Sequence, residues 1–139
     1  MSEHAKNKSI TKKSGLSLYQ KIVTGLTVFT ALSHIIYSYG WDSQILGINL
    51  GVWFVVNGLG YLILVYALYF GGHFKENNEL IRYLLASWTF GSILAWALFH
   101  TRSNRYDTLL DPSLINKSVE VLILVFLYLD QRNTSHSLN

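Results

Sequence analysis

Residues Asp111–Arg132 read DPSLINKSVEVLILVFLYLDQR. The stretch has the length and the aliphatic run of a transmembrane helix, yet Lys117 and Glu120 fall inside its first half. Asp111 suits an N-cap and Pro112 suits the first helical position, where its missing N–H costs nothing. A helix from Pro112 to Asp130 would be about 28 Å long at 1.5 Å per residue, just enough for a bilayer core of about 30 Å. On that register Lys117 lies close enough to the surface to extend its ammonium to water. Glu120 lies about 12 Å deep and has no such escape. It requires a partner or a proton.

The rest of the chain agrees with a membrane setting. Half of its 139 residues are hydrophobic and only 14% are charged, with a mean hydropathy of +0.27. The apolar residues come in four blocks, which predict spans at about 18–39, 46–70, 80–100 and 112–129. The fold class expected is therefore all-α, an integral membrane four-helix bundle over residues 16–132. A basic, disordered tail is expected at 1–15 and a polar tail at 133–139.

There is no cysteine. This removes disulfides, iron–sulfur clusters, thiolate metal sites and cysteine nucleophiles, and with them claudin-like and tetraspanin-like architectures. The net charge of +3 does not indicate nucleic-acid binding. Lys6, Lys8, Lys12, Lys13 and Lys21 gather before or at the first span, as an orientation signal does. The apolar run after Lys21 is too long for a cleaved signal peptide. Counting Lys and Arg on each side puts both termini in the cytoplasm. Tyr19, Tyr69, Tyr83 and Tyr128 then anchor inner ends, and Tyr37, Tyr39, Trp41 and Phe99 outer ends. The expected localisation is the cell membrane, multi-pass.

With that orientation the polar residues converge. Thr24, Thr27, Ala31, His34 and Ser38 make a stripe of small and polar residues on one face of the first span, the kind of face on which membrane helices pack. Asn57 is near the middle of the second span. Gly58 in the second span, and Ser87, Gly91 and Ala95 in the third, would admit close helix approach. His34, His100, Lys117 and Glu120 all belong to the outer half, and intramembrane ionisable groups usually pair with one another inside a bundle. A His34–Glu120 contact, with Asn57 beside it and Lys117 above, is the expected centre.

Several uses of such a centre stay open at this point. It could fix helix packing alone. It could bind a metal ion through His34, His100 and Glu120, although the spacing matches no ligand motif. Bis-histidine haem is disfavoured because His34 is deeper than His100. Proton or quinol handling is open, since a His–Glu pair can titrate near neutrality. His73, beside Lys75 and Glu76, is expected in solvent, and Trp53, Trp88 and Trp96 are expected in packing or at the interface. No nucleophile elbow occurs. A small multidrug transporter is disfavoured because the first span has no carboxylate.

Three segments carry a resemblance: ALSHIIYSYG around His34, ILGINLGVWFVVNGLGYL in the second span, and NKSVEVLILVFLYLDQR in the fourth. Together they resemble small four-span membrane proteins of unassigned function common in archaea, haloarchaea especially. Those proteins open the last span with an Asp-Lys-x-x-Glu/Gln-Val pattern, where this chain has Asn116 in place of the acidic residue. The resemblance implies a four-helix membrane bundle and an archaeal source. By analogy with subunits of membrane metalloenzymes such as archaeal ammonia monooxygenase, it suggests an accessory subunit partnered by lipid and by other membrane subunits or by itself. The residues thus point first to a structural or accessory protein without cofactor, and second to a small redox, metal- or haem-binding, or proton-handling protein built on His34 and Glu120.

Overall fold

The structure, a computed structural model, describes residues 15–39, 44–45, 48–103 and 112–136. The basic tail before Gly15, the aromatic anchor Trp41 and the cap at Asp111 lie outside the described residues, as do the side chains of Phe99 and His100. Four long helices dominate: α1 (Leu18–Ser38), α2 (Leu50–Tyr69), α3 (Asn78–Ser103) and α4 (Pro112–His136). Gln44–Ile45 (β1) and Ile48–Asn49 (β2) pair antiparallel ahead of α2, and Gly72–Asn77 forms a 3-10 turn ahead of α3.

Local chemistry sets the helix ends. Ser17 caps α1 in a reciprocal box: its hydroxyl accepts from Gln20 N at 3.2 Å, and Gln20 Oε1 accepts from Ser17 N at 3.0 Å. Two of the orphan donors at the helix start are satisfied in this way. α2 begins at Leu50, not at residue 46, because Ile48–Asn49 is spent on strand pairing and the Asn49 side chain then accepts from Gly51 N at 2.6 Å. α4 runs beyond residue 129 through what reads as a polar tail. Pro112 is the chain's one proline and no glycine follows it, so nothing in QRNTSH stops the helix.

Contacts define an up-and-down bundle. Each helix packs on its neighbour in sequence, and α4 closes back on α1. His34 near the end of α1 meets Asn57 in the first half of α2, and Glu120 in the first half of α4. At the opposite end Tyr69 finishing α2 meets Asp130 late in α4, which meets Arg82 early in α3. The end holding His34 is called the upper end below, and the end holding Asp130 the lower end.

Close approach between α1 and α2 depends on glycine. A Cβ on Gly58 would stand 2.7 Å from the Ala31 carbonyl oxygen, a backbone atom that cannot swing aside. Thr27 and Ala31 are fully buried on the same interface. α3 uses a different face from the one its small residues suggest. Ser87, Gly91 and Ala95 are exposed, and a Cβ on Gly91 would touch nothing within 4 Å. The expectation that Gly91 and Ala95 serve packing inside the bundle is therefore corrected: Ile81, Leu85 and Thr89 face inward instead.

Polar and charged residues share the interior with the apolar core, while the exterior is rich in large apolar side chains. Thr27, Thr30, His34, Thr89, Asn116, Lys117, Glu120 and Asp130 are buried, while Phe29, Ile36, Ile63, Phe90, Leu98 and Val121 are among the large apolar residues left exposed. α1, α2 and residues Asn78–Leu98 of α3 are long and apolar enough to cross a membrane. α4 carries Lys117, Glu120 and Asp130 along its length. All three are buried, and α4 turns Val121, Leu122, Val125 and Tyr128 outward.

Candidate functional site

The upper cluster is assembled from all four helices. His34 comes from the buried face of α1, where the spacing from Thr27 through Ala31 puts it one turn beyond the last small residue. Its ring is flanked by two aromatic rings of α2, Phe54 at a centroid distance of 5.6 Å and Tyr61 at 6.0 Å. Asn57 lies between those two on the same helix face, since positions 54, 57 and 61 recur at helical spacing. Ser92 enters from α3. Asn116, Lys117 and Glu120 enter from α4 as neighbours three and four residues apart.

Glu120 is fully buried and is the hub. Its Oε1 lies 3.0 Å from His34 Nε2. It accepts from Lys117 Nζ at 2.7 Å on Oε1 and 2.9 Å on Oε2. It also accepts from Ser92 Oγ at 3.2 Å and from Asn116 Nδ2 at 3.4 Å. Lys117 Nζ donates in addition to Ser92 Oγ at 2.8 Å. Asn57 Nδ2 stands 3.0 Å from His34 Nε2 and 3.1 Å from Ser92 Oγ. A carboxylate taken from water into an apolar interior requires this many donors, because its desolvation is worth several kcal/mol.

Lys117 was expected to extend to the surface. It instead folds inward onto Glu120, with only 9% of its side chain accessible. Paired with the carboxylate, it makes a neutral unit that a low-dielectric interior tolerates far better than either charge alone. Some polar atoms of the cluster are left over. His34 Nδ1, Asn116 Oδ1 and the Tyr61 hydroxyl are buried without a hydrogen-bond partner among the described residues. Such atoms are infrequent in folded interiors and call for an account.

At the lower end a second ion pair is closed by α4. Arg82 Nη1 reaches Asp130 Oδ2 at 2.7 Å and the Leu127 carbonyl at 3.3 Å. The Tyr69 hydroxyl donates to the same Asp130 oxygen at 3.1 Å. Between the two clusters lies a mostly apolar layer in which the Thr27, Thr30 and Thr89 hydroxyls are also buried. On α4, Ile123 and Leu127 fall between Glu120 and Asp130; on α3, Leu85 falls between Arg82 and Ser92; Val23 of α1 joins them.

Of the residues expected at the site, His34, Asn57, Lys117 and Glu120 meet directly. His100 lies in α3, where its side chain is outside the described set. A metal ion would need three or four convergent donors. Among the described residues no three His, Asp or Glu gather, and the Lys117 ammonium occupies the carboxylate that would have served. His73 is exposed. Trp96 Nε1 donates to Ser113 Oγ at 3.1 Å, and Trp88 lies against Gly60, where a Cβ would meet its ring at 2.5 Å. Ser92, Asn116, Phe54, Tyr61 and the whole Arg82–Asp130–Tyr69 cluster escaped sequence reasoning. The i, i+4 spacing of Asn116 to Glu120 was a usable signal. No family model, curated protein or solved structure matches this chain.

Proposed function

We propose that the protein is a four-span integral membrane protein of the cell membrane that serves as a structural or accessory subunit of a larger membrane complex. The observation that carries the membrane reading is an apolar exterior around buried charges. Buried charge surrounded by exposed Phe, Leu, Ile and Val is unstable in water and stable in lipid. The outward residues of α4 extend that reading to the fourth helix, since Lys117, Glu120 and Asp130 are turned inward and Arg132 is exposed only beyond them, in the last turns.

Orientation follows from the charges that remain free. Arg82 and Lys117 are held in buried pairs, so neither acts as a surface charge. Lys6, Lys8, Lys12, Lys13, Lys21, Lys75 and Arg132 then stand against Arg102 and Arg105. This excess supports cytoplasmic termini, with the upper cluster toward the outer face. The absence of native cysteine makes the test direct. Ser2→Cys and Asp107→Cys, labelled in intact cells with an impermeant maleimide, are expected to give signal for Asp107→Cys alone. Labelling of Ser2→Cys in intact cells would reverse the topology.

The accessory role draws support from short connections between spans and from Ser87, Gly91 and Ala95 lying on an outward face, in keeping with partnership inside the bilayer. The resemblance to archaeal four-span proteins belongs to the same proposal. Gentle purification from native membranes tests it. Stoichiometric companion polypeptides with a colourless, metal-free sample are the expected result. A solitary protein carrying haem or metal, lost on His34→Ala, would replace it with the cofactor-binding reading.

A further inference from the structure

The upper cluster contains one titratable group more than an ion pair needs. Lys117 and Glu120 already neutralise each other at 2.7 Å, and His34 is added at 3.0 Å. The position of its Nε2 is the informative feature. That nitrogen lies 3.0 Å from Glu120 Oε1, which accepts when ionised, and 3.0 Å from Asn57 Nδ2, which donates. One ring nitrogen either carries a proton or offers a lone pair, so it cannot serve both neighbours at once.

The direction of the Asn57 amide follows from its surroundings. Ser92 Oγ accepts from Lys117 and has its single proton on Glu120. Its remaining lone pair therefore faces a donor, which is the Asn57 N–H at 3.1 Å. The same amide nitrogen faces His34. Two arrangements are available, the first matching Nε2 to Glu120 and the second matching it to Asn57, and they differ by one proton. In the first, His34 carries its proton on Nε2 and donates it to ionised Glu120, leaving Nδ1 as a bare lone pair. In the second, the proton sits on Nδ1, Glu120 is a neutral acid donating to Nε2, and Asn57 and Asn116 also present N–H groups to that nitrogen at 3.0 and 3.4 Å.

We propose that His34 and Glu120 form a proton-binding site in which the imidazole changes tautomer as it hands a proton to the carboxylate. A proton adds to the Nδ1 lone pair, the Nε2–H bond breaks, and an O–H bond forms on Glu120 Oε1. The imidazole is neutral before and after the transfer, and no electron is transferred. The net charge of the cluster rises by one, held beside Lys117. The buried and unpartnered Nδ1 is the atom at which the proton enters. Among the described residues, the groups that face the site are Tyr61, with Asn57, from α2; Ser92 from α3; and Lys117, with Asn116, from α4. Val23, Leu85, Ile123 and Leu127 stand between the site and Asp130, so the proposed exchange is with the upper side. The inference is independent of whether the protein has partners in the membrane.

The test reads both ends of the transfer in the same folded protein. His4, His73, His100 and His136 are replaced by Gln, so that His34 gives the one imidazole signal in nitrogen-15 spectra. Infrared difference spectra follow the carboxyl band. On acidification the expected result is a switch from Nε2–H to Nδ1–H, in step with a new protonated-acid band that is absent in Glu120→Gln. Asn57→Leu removes a donor used by the loaded state and is expected to uncouple the two signals while leaving the helix content unchanged. Formation of a doubly protonated imidazolium beside an ionised Glu120 would overturn the proposal, since the pair would then be a plain salt bridge. An unchanged spectrum across the whole range in which the protein stays folded would overturn it equally, as would a tautomer switch that persists in Glu120→Gln.

Discussion

Among the described residues the bundle has two buried ionic clusters, one near each end, and they are built on different principles. The lower one contains one cation, one anion and a phenol: Arg82, Asp130 and Tyr69, with the guanidinium also held by the Leu127 carbonyl. Arg is the residue suited to such a place, because its planar fork stays charged and holds its geometry. The upper one contains Lys117, Glu120 and His34 with two amides and a hydroxyl, and it leaves buried polar atoms unpaired. The first is what a structural pin requires. The second has more titratable groups and more orphaned atoms than pinning explains, which is why the proton inference rests there and not at Asp130.

Replacing charges one and two at a time would break that comparison most sharply. Asp130→Ala strands the Arg82 guanidinium inside the bundle and is expected to destabilise the folded protein by about 3–5 kcal/mol, read from denaturant-induced loss of helix in detergent micelles. Replacing both partners, Arg82→Leu with Asp130→Leu, is expected to recover most of that loss, because a lone ion pair is close to break-even with a well-packed apolar pair. The matching double change at the upper end, Lys117→Met with Glu120→Leu, is expected to recover much less. His34, Asn57, Asn116 and Ser92 would all keep polar atoms aimed at a missing partner. Equal recovery at both ends would remove the distinction drawn between them.

Smaller effects sharpen the picture of how the upper cluster is held in place. Gly58→Ala sets a methyl group 2.7 Å from the Ala31 carbonyl, so α1 and α2 must part. A loss of about 1–3 kcal/mol is expected in the same unfolding measurement. Because His34 is three residues from Ala31, the variant is also expected to loosen the cluster, visible as a broadened His34 imidazole resonance. Gly91→Ala, by contrast, meets open space and is expected to change the stability of the isolated protein by less than about 0.5 kcal/mol. If it nevertheless reduces the yield of companion polypeptides from native membranes, the outward face of α3 is in contact with one of them.

The two glycines show where sequence reasoning stopped. Gly58 and Gly91 look equivalent on paper, each in an apolar helix near other small residues. What separates them is helix phase. α3 offers two candidate faces, Ser87–Gly91–Ala95 and Ile81–Leu85–Thr89–Ser92, and small-residue spacing favours the first. The second faces inward because it brings Ser92 to Glu120 and sits beside Arg82, whose partner lies on α4. Those partners lie on a helix more than twenty residues away, so no local pattern reveals them. The start of α2 failed for a local reason: an apolar run does not show that Ile48 and Asn49 are drawn into strand pairing.

From sequence alone came the elements with a strong one-dimensional signature. These are long apolar helices, the polar stripe of α1, the absence of cysteine chemistry, and the demand that a deep Glu120 find a partner, with His34 as its nearest match in depth. Length, composition and depth along a helix axis are properties of the chain, and each residue carries its share of them. Only the tertiary structure decided which face of α3 turns inward, that Lys117 folds onto Glu120 instead of reaching the surface, and that Asp130 is bound by Arg82 and Tyr69. Rotation of one helix about its axis relative to three others is set by all their contacts together, and a buried charge takes whichever partner that rotation brings within about 3 Å.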